Sequence, residues 1–179
     1  QHNFARTTAL LDQMGLNIVD ARITPLDGGL GIDTYLVLED TGLPIADRHR
    51  AQQIEQQLRR VLLSAEADLP VVTRRAPRQV RMFTTPTQIT FTEDPLQNRT
   101  VLEIIAGDRP GLLSEIGRVF LAEQIDVNTA KIMTIGERAE DVFYITDAQG
   151  GPLTEAARER LRERIGHALD RRDQSLRLA

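Results

Sequence analysis

Two stretches decide the fold: Asn17-Ile18-Val19-Asp20-Ala21-Arg22-Ile23 and, 109 residues later, Asp126-Val127-Asn128-Thr129-Ala130-Lys131-Ile132. Each follows an amphipathic segment, carrying Phe4, Leu10, Leu11 and Met14 in the first copy and Leu112, Leu113, Ile116, Val119 and Phe120 in the second. Each then leads through a Gly-containing turn to an apolar strand, Tyr35-Leu36-Val37-Leu38 or Val142-Phe143-Tyr144-Ile145. The exits match too, Thr41-Gly42-Leu43-Pro44-Ile45 against Gln149-Gly150-Gly151-Pro152-Leu153. Final helices follow, with Ile54, Leu58 and Leu62 in one copy and Leu161, Ile165 and Leu169 in the other, each set on one face at a spacing of four. An internal repeat of this length means two copies of one supersecondary unit.

The unit reads helix, strand, strand, helix, and the second copy adds a strand in front, Val101 to Ala106. A further closing strand would complete a βαββαβ, ferredoxin-like sheet with both helices on one face. The predicted class is therefore α+β, with two such antiparallel domains. Residues 1–67 form the first, lacking its leading strand; 68–86 are a linker; 87–179 form the second, entered through an extra hairpin strand at Gln88-Ile89-Thr90-Phe91-Thr92. The linker region holds Pro70, Pro77 and Pro86 and the basic residues Arg74, Arg75, Arg78 and Arg81. A first domain without its leading strand exposes an edge, which another strand or a second chain could fill.

Composition narrows the function. The 179 residues include 41% hydrophobic and 27% charged residues, enough to bury cores. A net charge of −4 and an aromatic content of 4% without Trp argue against phosphate backbones, stacked bases and anionic membranes. The absence of Cys removes disulfides, thiolate ligands and a cysteine nucleophile. No apolar run is long enough to span a bilayer and no secretory signal is visible, so a cytoplasmic location is expected. The start at Gln1, close to a helical pattern, suggests a fragment of a longer protein. No Gly-x-Ser-x-Gly, P-loop or paired His occurs, and Lys131 is the single lysine; neither catalytic residues nor metal ligands are nominated. His2, His49 and His167 are scattered without metal spacing. Gly28-Gly29 and Gly31 read as a turn between strands, and Arg158, Arg160, Arg162 and Arg164 as a solvated helix face.

The motif that suits ligand capture is Gly107-Asp108-Arg109-Pro110-Gly111-Leu112-Leu113, where a strand turns into a helix. Asp108 is suited to cap the helix, Pro110 to sit in its first turn, and Gly111 to let the backbone approach a bound molecule. The remaining amides and the helix dipole would attract a carboxylate. By itself the motif also serves simply as a tight strand-to-helix turn.

With the repeat around it, this turn resembles an ACT domain. The two copies in series, with Thr134-Ile135-Gly136-Glu137-Arg138 ahead of Glu140-Asp141, resemble the C-terminal part of PII uridylyltransferase/uridylyl-removing enzymes. The resemblance implies a regulatory module that senses glutamine and sets the balance of uridylylation and deuridylylation of the PII signal protein. The parent's catalytic domains would lie outside this chain. It also implies ligand residues Asp108, Arg109, Pro110, Gly111, Leu112 and Leu113 in the turn, with Asn128, Asn17 and Asp20 on the strands. Glutamine would be the effector, no cofactor is expected in the chain itself, and magnesium would serve the parent's chemistry. The implied partners are the amino acid, the PII protein through the parent, and a second chain through sheet edges. An interaction module without ligand binding is the other reading.

Overall fold

The computed structural model describes residues 2–26, 30–64, 85–135 and 138–177. The expected linker 68–86, its arginines and the Gly28-Gly29 turn therefore lie outside the described residues, except for 85 and 86. The elements are α1 (His2–Gln13), β1 (Leu16–Pro25), β2 (Gly31–Glu39), α2 (Arg48–Leu63), β3 (Gln88–Asp94), β4 (Arg99–Gly107), α3 (Leu112–Ala122), β5 (Asp126–Lys131), β6 (Thr134–Ile135), β7 (Arg138–Thr146) and α4 (Glu155–Arg177).

The strands form one antiparallel sheet in the order β2-β1-β5-β7-β4-β3, with β6 as a short addition to β7. The class is α+β, as the repeat predicts. The two copies share this sheet because β1 pairs with β5, Asp20 opposite Lys131, Ala21 opposite Ala130 and Arg22 opposite Thr129. Four helices cover one face, α1 packing on both α2 and α3, and α3 on α4.

Period-two alternation decides which strand residues meet that layer. On β4, Thr100, Leu102, Ile104 and Ala106 are buried, and on β7 so are Ala139, Asp141, Phe143 and Ile145. Leu161, Ile165 and Leu169 of α4 are completely or almost completely buried, as their spacing requires. Phe143 sits where the copies meet, edge-on to Phe120 of α3 at 5.2 Å and to Phe4 of α1 at 6.2 Å between ring centroids.

The fourth strand of the second copy differs from the βαββαβ expectation. The chain ends its described course in α4, and β3 stands at the edge beside β4 where the closing strand was expected. A hairpin reaches that edge cheaply, since β3 and β4 pair along their full length through a turn at Pro95–Asn98, closed by a 2.9 Å ion pair between Arg99 and Asp94. The arginines expected to be solvated fasten it. Arg162 of α4 donates to the Ile89 carbonyl and lies over the Phe91 ring, and Arg158 bonds Glu93 at 2.8 Å. Arg164 pairs with Glu123 at the end of α3, 3.1 Å away.

In the first copy, Asp47 caps α2 by accepting from the amides of His49 and Arg50. Arg50 then anchors that helix to the sheet, reaching Glu39 at 3.1 Å and the Met14 carbonyl at 2.6 Å. The outer edge of β2 has no partner strand among the described residues, and Ile32 and Leu36 on it are each 57% exposed.

Candidate functional site

Antiparallel α1 and α3 cross between the two copies at their smallest residues. A Cβ placed on Gly117 would lie 2.9 Å from the Ala5 Cα, so only glycine permits this approach. Either side of the crossing, the interface has an end. At one end is the head of α3 with the Gly107–Leu113 turn; at the other is a cavity beside the first residues of β5.

At the first end, α3 begins at Leu112, so Pro110 belongs to the turn that precedes the helix and not to its first turn. Gly111 is the N-cap, in the left-handed region at φ 88°, and supplies no side-chain cap. Its amide donates to the carboxylate of Asp12, in the last turn of α1. Asp108 does not cap the helix; its carboxyl accepts from the Arg109 amide, and burial raises its pKa above the ordinary carboxylate value. Arg109 is buried and directed towards α4 and α3, donating to the Leu169 carbonyl at 3.0 Å and pairing with Glu115 at 3.1 Å. Leu112 is buried and Leu113 half-buried, as core-facing residues of α3.

Next to this turn lies a residue that motif reading missed. Asp141 of β7 is 1% exposed, and neither carboxylate oxygen makes a full hydrogen bond. Burial pushes its pKa up to about 7, the Met133 backbone amide opposing the shift and the nearby Asp108 adding to it. The signal was present in the sequence: period two places Asp141 on the same side as Ala139 and Phe143, a charge among core positions. Asp12 also left a signal, as an acid at the C-terminal end of a helix, where the dipole disfavours it.

The second end is a cavity of about 730 Å³ between the copies, within the usual range of small-molecule sites. Asn3 and Phe4 of α1, Arg22 of β1, Asp33 of β2, and Gly117 and Phe120 of α3 line it, together with Asp126 to Thr129 of β5. Asn128 sits at a register shift between Val127 and Thr129, and its side-chain oxygen is buried without a hydrogen-bond partner. Asp33 stands at the rim with its pKa raised by partial desolvation. Asn128 and Asp33 thus place a carboxamide and a carboxyl among the residues that line the cavity, and Arg22 adds a cation.

The nominated residues are thus divided. The six residues of the turn stay together at one end and Asn128 lies in the cavity at the other. Asn17 and Asp20 are exposed on β1, opposite Leu38 and Lys131 respectively. Among the described residues, no three His, Cys or carboxylate side chains converge as a metal site, and no helix is long and apolar enough to cross a membrane.

Residues 100–166 match the family described as ACT domain. Over 157 residues, 87% of this chain, the sequence is 45% identical to a bifunctional uridylyltransferase/uridylyl-removing enzyme of Stutzerimonas stutzeri and 46% identical to one of Pseudomonas entomophila, covering 17% of each. A protein of that description from Methylococcus capsulatus is 45% identical over 160 residues, 89% of this chain and 18% of its own length. The chain therefore spans less than a fifth of the curated relatives it matches. No solved structure matches it significantly.

Proposed function

We propose, on the premise that this chain is an ACT-domain region of the kind carried by bifunctional uridylyltransferase/uridylyl-removing enzymes, that it is their amino-acid-sensing module and that glutamine is its effector. The observation that carries this reading is the cavity between the copies. The Asn128 carboxamide and the Asp33 carboxyl among its lining residues suit a ligand's carboxamide and ammonium, and Arg22 suits the carboxylate.

The cavity wall includes α1, β1 and β2 from one copy and α3 and β5 from the other. A ligand that binds one arrangement of the copies better than another shifts their populations by its differential affinity, on the order of 1 to 3 kcal/mol for such couplings. In a parent enzyme that shift would set the balance between uridylylation and deuridylylation of the PII signal protein, with magnesium serving chemistry outside this chain.

Calorimetry on the chain tests the proposal. Glutamine should give saturable heat at one site per chain. Asparagine, one methylene shorter, should bind roughly 10 to 200 times more weakly, and Asn128→Ala should abolish the glutamine signal. Absence of heat for both amino acids would overturn the reading. The exposed Ile32 and Leu36 beside the open edge of β2 favour a second role, pairing of two chains edge to edge. A light-scattering mass of one chain at all concentrations would exclude it.

A further inference from the structure

We propose that the gap between β1 and β5 is a strand-acceptor site, which takes a short extended peptide whose main chain bonds to both strand edges at once. The proposal goes beyond the sensing reading and stands whether or not glutamine binds, since it starts from the two strand edges.

Those strands pair only from Asp20 to Arg22, against Lys131 to Thr129. Continuing that register would set Ile23 opposite Asn128, Thr24 opposite Val127 and Pro25 opposite Asp126, and none of these pairs forms. Both strands nevertheless run on through these residues, because each is held from its other side. β2 holds β1 as far as Pro25, opposite Gly31, and β7 holds β5 from Asp126, opposite Thr146. A bulge in β5 accounts for the parting: Asn128 is its extra residue, between Val127 and Thr129, and a bulge bends the strand that carries it. The cavity occupies the gap, with Ile23 and Thr24 lining it from one arm and Asp126, Val127 and Asn128 from the other.

A strand turns the N–H and C=O groups of every second residue towards each neighbour. Among the described residues no strand takes up those groups on the inner sides of the two arms, and main-chain groups removed from water need partners. An extended chain laid between the arms supplies donors and acceptors to both, as an added strand does at a sheet edge. It runs antiparallel to one arm and parallel to the other, because β1 and β5 themselves are antiparallel. The size fits as well. Three unmade pairs correspond to about 10 Å of strand, the length of three residues, and a cavity of about 730 Å³ has room for them. Phe4 and Phe120 of the helix layer are among the lining, which suits small apolar side chains on the face of the peptide turned towards the helices. A free peptide carries one charge at each end, and the lining holds both signs, Asp33 and Asp126 for the ammonium and Arg22 for the carboxylate.

The test follows the ¹⁵N-labelled full chain by NMR during titration with three probes: trialanine, its ester analogue with oxygen in place of both peptide N–H groups, and free glutamine. Trialanine should move amide signals within residues 22–24 and 126–129 saturably and slow hydrogen exchange there, leaving β3 unchanged. The ester analogue keeps the length and the end charges without the peptide donors, and should bind about tenfold or more weakly. Trialanine that moves none of these amides, or an ester analogue that binds as well as trialanine, would overturn the acceptor site. Glutamine separates the two proposals. Trialanine binding without glutamine binding supports the acceptor site and removes the sensor; glutamine binding without trialanine binding does the reverse.

Discussion

Gly117→Ala measures how tightly the two copies are locked. In an ordinary helix the change would stabilise the protein by about 1 kcal/mol, because alanine restricts the unfolded chain and glycine does not. Here the new methyl would meet the Ala5 Cα at 2.9 Å, the Ala5 Cβ at 3.0 Å and the Phe4 ring at 3.4 Å. Carbon atoms rest at roughly 3.5 to 4.0 Å, and the first of these contacts is backbone, so α1 must move away from α3 by several tenths of an ångström or more. Forcing a methyl into a filled interface costs about 1 to 3 kcal/mol, which outweighs or cancels the helical gain. Gly166→Ala in α4 supplies the control, since a Cβ there meets nothing within 4 Å and keeps the gain. Urea unfolding followed by circular dichroism should place Gly117→Ala below Gly166→Ala by about 1 to 3 kcal/mol, or roughly 2 to 12 °C in melting temperature at this chain length. The variant should also weaken glutamine binding, because Gly117 and Phe4 line the cavity. If both alanine variants are stabilised equally, the close crossing is wrong.

Three further outcomes are expected. Asp141 has a folded pKa of about 7, above its unfolded value near 4; the unfolded state thus releases its proton first, and native stability falls as pH rises between about 4 and 7. Asp141→Asn should flatten that slope and be more stable than the native chain at pH 8, and parallel pH profiles in urea titrations would contradict the assignment. Arg109→Ala should destabilise the fold by about 3 to 5 kcal/mol, since it breaks the buried ion pair with Glu115 and removes the side chain that bonds the Leu169 carbonyl; its glutamine affinity, read by calorimetry at a temperature where it stays folded, should match the native value. Arg162→Ala should loosen β3 from α4, seen as faster amide hydrogen exchange at Gln88 to Phe91 and unchanged exchange in β5.

The architecture was legible because repeat and periodicity are local properties. The matching runs at Asn17 and Asp126 located β1 and β5, and the four-residue spacing of Leu161, Ile165 and Leu169 gave the buried face of α4. Which strand closes the second copy's sheet was not legible. Both a strand after α4 and one before β4 could take that edge, and only the three-dimensional path, fastened by Arg162 and Arg158, selects β3. The turn motif was visible, but its occupants were not. The resemblance implied Arg109 as a ligand residue, and what the sequence could not show is that its long side chain reaches Glu115 and the Leu169 carbonyl, a partner 60 residues away. Asp12 could not be matched with Gly111 across 99 residues without the α1 and α3 crossing.

The central claim, that a small amino acid settles between the two copies beside Asn128, is tested most directly by mapping amide shifts on the labelled chain during a glutamine titration. The account predicts one saturable set of shifts centred on Arg22, Gly117, Asn128 and Thr129. A set confined to residues 108–113 with the cavity unmoved, or no shifts at all, would contradict it.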